Sequence, residues 1–237
     1  IRREDQDLLA YESHQKAAAA YARGFYSDLV MPLRGLDKDN ILRPDTTLEK
    51  LATLKPAFDK RSGNGTLTAG NSTNLSDGAS AALLSSEAWA QANGKEIQAY
   101  LVDAQVAAVD FVAGEGLLMA PAWAVAQLLK RNKRKLQDFD FYEIHEAFAA
   151  QVLCTLKAWE SEEFCKTKLG MDGALGSIDR SKLNVVGSSL ALGHPFAATG
   201  ARIVATAAKL LKEKGQGRVL ISICTAGGMG VAAIVER

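Results

Sequence analysis

The chain has 237 residues, and 28 Lys and Arg against 27 Asp and Glu leave a formal net charge of +1, which excludes a strong overall field for nucleic acid or an anionic membrane. Hydrophobic residues make up 48% of it and charged ones 23%, which argues against long disorder, and no apolar run approaches the ~18 residues of a membrane-spanning helix. Its three cysteines, Cys154, Cys165 and Cys224, include no C-x-x-C pair, a usage that fits a reducing, cytoplasmic setting better than a disulfide framework.

Taken in order, the chain opens on Ile1-Arg2-Arg3-Glu4 without a Ser or Thr cap, yet a helical composition runs from Glu4 to Arg23 and stops at Gly24. An opening of this kind reads as the continuation of a longer polypeptide. Residues 27–47 are irregular; Thr46-Thr47-Leu48-Glu49 then offers a capping box for a short helix that must end near Lys55, before Pro56. Gly63-Asn64-Gly65 predicts a turn, Thr66 to Ala69 an extended piece, Ala79 to Leu84 a short buried strand, and Ser86 the cap of a helix to Gly94. The alternation then sharpens: a strand from Ile97 to Val109, a helix from Ala120 to Arg131, a strand from Phe139 to Ile144 and a helix from Glu146 to Trp159. After a loop containing Gly170, Gly173 and Gly176, Asn184 to Val186 is expected to extend. Thr199 to Lys214 reads as a helix stopped by Gly215, and Arg218 to Ile223 and Val231 to Val235 read as the last strands. The pattern predicts an α/β layered domain from about residue 96 onward.

Thr225-Ala226-Gly227-Gly228-Met229-Gly230 follows a strand, but a dinucleotide fingerprint needs a helix after its glycines and here a strand continues. A tight hairpin with free backbone N–H groups fits better. Gly187-Ser188-Ser189-Leu190-Ala191 imitates a hydrolase elbow, except that Ala191 stands where glycine is required, so a Ser-rich turn is preferred. His14, His145 and His194 form no short-range ligand motif, which leaves metal catalysis unsupported. His14 reads as a solvated position on the first helix. Cys224 alone reads as a core cysteine. As a set, however, Cys224, His194 and His145 all fall at predicted strand ends that a parallel sheet can bring to one edge, and Cys with His is the minimal pairing for thiol acid–base chemistry. Cys154 and Cys165 read as structural.

These residues also resemble a known family. Gly193-His194-Pro195-Phe196-Ala197-Ala198-Thr199-Gly200-Ala201-Arg202 and Cys224-Thr225-Ala226-Gly227-Gly228-Met229-Gly230 are similar to the two C-terminal signatures of thiolases, and His145-Glu146-Ala147-Phe148-Ala149 to a third. Upstream, Leu54 to Asp59 and Thr68 to Ala79 are similar to the linker that leads into the last strand of the family's N-terminal half. The resemblance implies the C-terminal portion of a thiolase. Residues 1–75 would be part of the helical loop domain, 76–95 the last strand and helix of the N-terminal half, and 96–237 the βαβαβαββ C-terminal half. It further implies that the family's acylated cysteine lies outside these residues, so that the chain alone is inactive.

By that resemblance His194 activates the nucleophilic cysteine, Cys224 is the second acid–base, and a thiol near pKa 8.5 suits that exchange. His194 and His145, the latter through a water, match one oxyanion hole, and the backbone N–H of Ala226 matches a donor of the other. Arg43, Thr73, Leu75, Ala147 and Phe148 match positions along bound coenzyme A; on their own, Arg43 beside Pro44 reads as a solvated loop charge and Phe148 as part of a helical stripe with Val152 and Leu156. Most thiolases carry asparagine where this chain has His145, and the histidine form resembles the β-subunits of fatty-acid-oxidation trifunctional complexes. The implied activity is cleavage of 3-ketoacyl-CoA by coenzyme A in β-oxidation, with acyl-CoA as substrate, no permanently bound cofactor and no nucleic acid. The implied partners are further copies in a dimer or tetramer and a β-oxidation α-subunit. Alternatives are an acetoacetyl-CoA-specific acetyltransferase, a non-catalytic half-thiolase scaffold, and a cysteine hydrolase using Cys224 with His194.

Overall fold

The computed structural model describes residues 1–237. Helix α1 covers Arg3–Ala22, α2 Leu48–Ala52 and α3 Glu87–Ala92; β1 (Tyr100–Ala108) and α4 (Ala120–Arg131) follow. Then come β2 (Phe141–Ile144), α5 (Ala149–Glu160), α6 (Glu162–Thr167), α7 (Ser189–Leu192), α8 (Thr199–Lys214), β3 (Arg218–Cys224) and β4 (Met229–Glu236). The local signals acted as expected at several ends. Thr47 and Ser86 each accept a hydrogen bond from the third residue of the helix they cap, Pro121 sits in the first turn of α4, and Gly215 ends α8 at φ 90°.

One four-stranded sheet, in the order β1-β4-β3-β2, organises the chain from residue 100 onward. β4 runs antiparallel to both β1 and β3, and β2 runs parallel to β3. Period-two alternation sends Leu220 and Ile234 into one core with Leu128, Val152, Leu156 and Trp159 of α4 and α5. It sends Val219, Ile221, Ala233 and Val235 to the other face, against Ile203, Ala207 and Leu211 of α8. With both faces covered, β3 and β4 read as continuous apolar runs, and the layers are helix, sheet, helix. No helix is long and apolar enough to cross a membrane.

Several expectations are corrected. Residues 79–84 form no strand and are exposed, with Leu83 at 72% and Leu84 at 68%; an apolar run becomes a strand only where another strand completes its ladder, and none of this chain does so here. Asn184 to Val186 does not extend. Leu183 makes a single parallel bridge to Tyr142, and Asn184 then turns at φ 44°, which removes one strand from the expected βαβαβαββ series. The helix expected from Glu146 begins only at Ala149, because Phe148 is extended at φ −144° and ψ 140° and bridges to Ser72. Phe148 therefore caps the helix, and its ring meets Phe58 edge-on at 5.4 Å.

His14 is buried, not solvated. The stripe of α1 that packs inward is half polar, with Gln6, Asp7, Ser13 and His14 beside Leu9, Ala10, Ala17 and Ala20. Each polar member is held by a partner far away in sequence: Asp7 by Asn71, with Arg3 on its own helix, Ser13 by Glu146, and His14 by the Arg43 N–H, which donates to its Nδ1 at 3.2 Å. Gln6 donates to Thr66 at 3.1 Å. Apolar patterning alone misses such a face, since its buried positions are not apolar. Gly187 shows how closely α1 approaches the sheet edge, for a Cβ there would lie 2.6 Å from Ser13 O.

Candidate active site

β2 and β3 are parallel, so their C-terminal ends share one edge of the sheet. His145 directly follows β2, and its N–H donates to Ser222 O at 2.9 Å; Cys224 closes β3. His194 arrives by another route than a strand end, on the loop after α7, because the segment before it turns at Asn184. That loop is pinned instead by residues 74–76. The His194 N–H reaches Asn74 O at 3.1 Å and Ser76 Oγ at 3.0 Å, and Leu75 bridges to His194. The rings of His145 and His194 lie 4.2 Å apart between centroids, and Phe196 packs on His194 at 4.9 Å.

The two histidines have different surroundings. His194 is half-buried, and its Nδ1 lies 2.6 Å from Thr199 Oγ1, which itself donates to Pro195 O at 3.2 Å. With that hydroxyl proton committed, Nδ1–H is the donor and the Nε2 lone pair is left for chemistry. Burial, assisted by the Arg202 charge, lowers the pKa of His194, which favours the neutral, basic form at pH 7. His145 is fully buried, with Nδ1 2.7 Å from Ser189 Oγ and no partner for Nε2. Burial, then His194 and Arg202, push its pKa down to about 3.

Cys224 departs from the expected thiol near pKa 8.5, since burial pushes it up to about 12. At neutral pH it is a protonated thiol, a proton donor first and a base only after it has donated. The turn beyond it carries three successive left-handed residues, Ala226 at φ 61°, Gly227 at 59° and Gly228 at 74°. The N–H of exposed Ala226 donates to no acceptor in the chain. Glycine takes this conformation freely and alanine does not, so Ala226→Gly is expected to raise the unfolding free energy by about 0.5–1 kcal/mol. Urea denaturation reads this directly, and an unchanged or lower midpoint would show the turn to be unstrained.

Behind the histidines lie two buried carboxyls. Glu146 accepts from Ser13 Oγ (2.7 Å), Asn184 Nδ2 (2.7 Å) and Leu190 N (3.1 Å), tying α1, the Asn184 turn and α7 to the sheet edge. Glu143, on β2, makes no hydrogen bond with either oxygen, and burial raises its pKa to about 8. No group of three His, Cys, Asp or Glu is placed to hold a metal ion.

Thr73 donates from its N–H to Ala147 O (2.9 Å) and from Oγ1 to Ser189 O (2.7 Å), so Thr73, Leu75, Ala147 and Phe148 lie along one seam beside the histidines. Arg43 lines a cavity of about 270 Å³ with His14, Ile41 and Leu54, and with Asn74 and Leu190, which adjoin that seam. Ser189, the elbow candidate, is fully buried and supports a histidine, so no substrate carbonyl reaches it. Sequence reasoning gave no role to Thr199, Arg202 or Glu143. Their signals were available: a threonine five residues after His194 at a helix start, an arginine in the same segment, and a lone acid within an apolar strand.

Comparison with known proteins accords with this architecture. Residues 95–237 match the family model of the thiolase C-terminal domain, and residues 1–88 that of the thiolase N-terminal domain. A 3-ketoacyl-CoA thiolase of Shewanella baltica (strain OS155 / ATCC BAA-1091) is 46% identical over 242 residues, covering 100% of this chain and 55% of that protein. One from Shewanella loihica is 45% identical with the same coverage. The crystal structure of Bacillus anthracis acetyl-CoA acetyltransferase superposes with a TM-score of 0.82 at 38% identity, over 100% of this chain and 56% of that one. The chain thus spans about half the length of the relatives it matches. On the family match over residues 95–237 and the shared fold, this chain belongs to the thiolase family.

Proposed function

We propose that this chain carries the acid–base groups of a thiolase that cleaves 3-ketoacyl-CoA with coenzyme A to acetyl-CoA and a shortened acyl-CoA. The observation that carries the reading is the convergence at one sheet edge of His145 and His194, 4.2 Å apart, with Cys224 and the unpaired N–H of Ala226. Residues 1–75 would serve as loop domain, 76–95 as the end of the N-terminal half and 96–237 as the C-terminal half. The nucleophilic cysteine would lie in the part of the family's length that these residues do not span.

In this mechanism His194 Nε2 takes the proton of that cysteine as its sulfur attacks the 3-keto carbon. Cleavage of the carbon–carbon bond releases acetyl-CoA as an enolate. Cys224, a protonated thiol at rest, donates its proton to the enolate carbon and becomes the thiolate that next deprotonates incoming coenzyme A. The CoA sulfur then takes the acyl group from the cysteine, whose departing thiolate recovers the proton held on His194. His194, His145 and the Ala226 N–H supply donors to the oxygens that gain charge. Thr73, Leu75, Ala147 and Phe148 line the pantetheine, and Arg43 lies toward the nucleotide. Coenzyme A enters as substrate, with no resident cofactor, and a free Cys224 suits a reducing compartment. Leu83, Leu84, Val106 and Val112 are exposed apolar residues that further thiolase polypeptide, from the rest of the family's length or from another copy in a dimer or tetramer, would cover. An acetoacetyl-CoA-specific acetyltransferase is the second reading, favoured by the name of the structural neighbour.

Thiolysis of acetoacetyl-CoA and of longer 3-ketoacyl-CoA tests both parts of this proposal. The 237 residues alone are expected to turn over more than about tenfold more slowly than a complete thiolase, and the chain extended to its relatives' length is expected to turn over normally. Activity of the chain alone within that margin overturns the assignment of the nucleophile. Inactivity of the folded, extended protein overturns the thiolase reading itself.

A further inference from the structure

Arg202 enters the site from the first turns of α8 and ends beside Ser189, to whose Oγ its Nη2 donates at 2.9 Å. Ser189 is fully buried and has one other hydrogen-bond partner for its hydroxyl, His145 Nδ1 at 2.7 Å. A hydroxyl has one proton and two acceptor positions. One acceptor position is taken by Arg202, so the contact to His145 is made with either the proton or the second lone pair.

The two choices differ in what they leave stranded. If His145 Nδ1–H donated, the serine proton would be buried with no acceptor, and the Nε2 lone pair would be buried without a donor. If the serine proton is given to Nδ1, the hydroxyl donates once and accepts once, and the one N–H or O–H donor of this pair left unmet is the Nε2–H. Buried polar groups are seldom left unpaired, so the second arrangement is favoured. Protonation of both ring nitrogens is opposed by burial first, then by the neighbouring His194 and by the positive charge of Arg202. The one donor of the pair left unmet is then a neutral N–H next to the ring of His194.

We propose that Arg202 is a positioning residue that, by donating to Ser189 Oγ, polarises the hydroxyl so that its proton goes to His145 Nδ1, its one acceptor, and so holds His145 as a neutral Nε2–H donor. This rests on the thiolase reading only for what the donor faces, namely a thioester oxygen that gains negative charge. A donor fixed in advance needs no reorganisation as charge develops, and a neutral one gives up no proton to the oxygen. Arg202 has further buried N–H groups, on Nε and Nη1, without partners, while Glu143 has two unpaired carboxyl oxygens. The guanidinium is therefore anchored to this site through Ser189.

Long-range 1H–15N correlation spectra of the 237-residue chain with 15N-labelled histidine report the tautomer of each ring without any need for turnover. His145 is assigned by its disappearance in His145→Asn. Its wild-type spectrum is expected to show Nε2 protonated and Nδ1 as an acceptor, unchanged from pH about 5 to 8. Arg202→Met is expected to shift His145 to a mixture of tautomers, as is Ser189→Ala, and the double variant is expected to add nothing to Ser189→Ala. The signals of His14, which lies on α1 and is held by Arg43, should stay in place and so certify the fold. Protonated Nδ1 in the wild-type chain overturns the proposal, even where no variant folds. An unaltered His145 pattern in folded Arg202→Met overturns it too. A chain that shows the expected tautomer but whose extended form lacks thiolysis overturns the catalytic reading and leaves the role of Arg202 standing.

Discussion

Thiolysis of acetoacetyl-CoA by the chain extended to its relatives' length is expected to fall by about 10²–10⁴-fold on His194→Asn, the range lost with a general acid–base group. The reason is geometric. Thr199 holds Nδ1 at 2.6 Å, which orients the ring and leaves Nε2 as its basic atom. Because burial and Arg202 lower the pKa of His194, the base form persists below the ordinary histidine range. The acid limb of the wild-type rate profile should accordingly lie below pH ~6.5, and the residual rate of His194→Asn should lack that limb. Retention of more than about a tenth of wild-type turnover would remove His194 from the proton-transfer steps.

Glu143→Gln is expected to stabilise the 237-residue chain at pH 7 by roughly 3 kcal/mol, the upper end of what its displaced titration allows. The carboxyl is fully buried, neither oxygen is hydrogen-bonded, and its pKa rises from 4.5 to about 8, chiefly through burial. Arg202 and Lys16 pull the pKa down and Glu146 pushes it up, but these are smaller effects. The folded state therefore holds a proton that the unfolded state releases. This costs nothing below the unfolded pKa, and stability is lost as pH rises from there toward the folded pKa. Glutamine keeps the shape and cannot ionise. The difference in unfolding free energy between Glu143→Gln and wild type should grow between pH about 4.5 and 8 and vanish below. A difference that is flat with pH would mean that Glu143 is ionised and paired with Arg202 in the folded chain.

The elements that were legible in advance share one property, that their determinants are local. The helix over residues 199–214 was bounded by its own glycine, and α4 by its own proline. β3 and β4 were continuous apolar runs because both faces are covered. The strand expected at 79–84 carried the same local signal and failed, since a strand exists only with a partner to complete its hydrogen bonds. Asn184 failed for a related reason. Its side chain accepts from Ile144 N and donates to Ile144 O and Glu146, a set of non-local bonds that stabilises a turn at φ 44° over an extended chain. The burial of His14 is not legible locally, because the inward face of α1 is half polar and the partners of its polar residues lie far away in sequence.

The α/β class is legible in the periodicity of the amino-acid order, and the thiolase resemblance, with His145, His194 and Cys224, in runs of residues read locally. Tertiary structure alone decided how those groups behave. The pKa of Cys224 is moved by burial, the free nitrogen of His194 is chosen by a hydroxyl on the next helix, and the surroundings of His145 are set by Ser189 and Arg202. Protonation and tautomer follow from solvent exclusion and from the accounting of each hydroxyl proton, and both are properties of groups brought together only when the chain has folded.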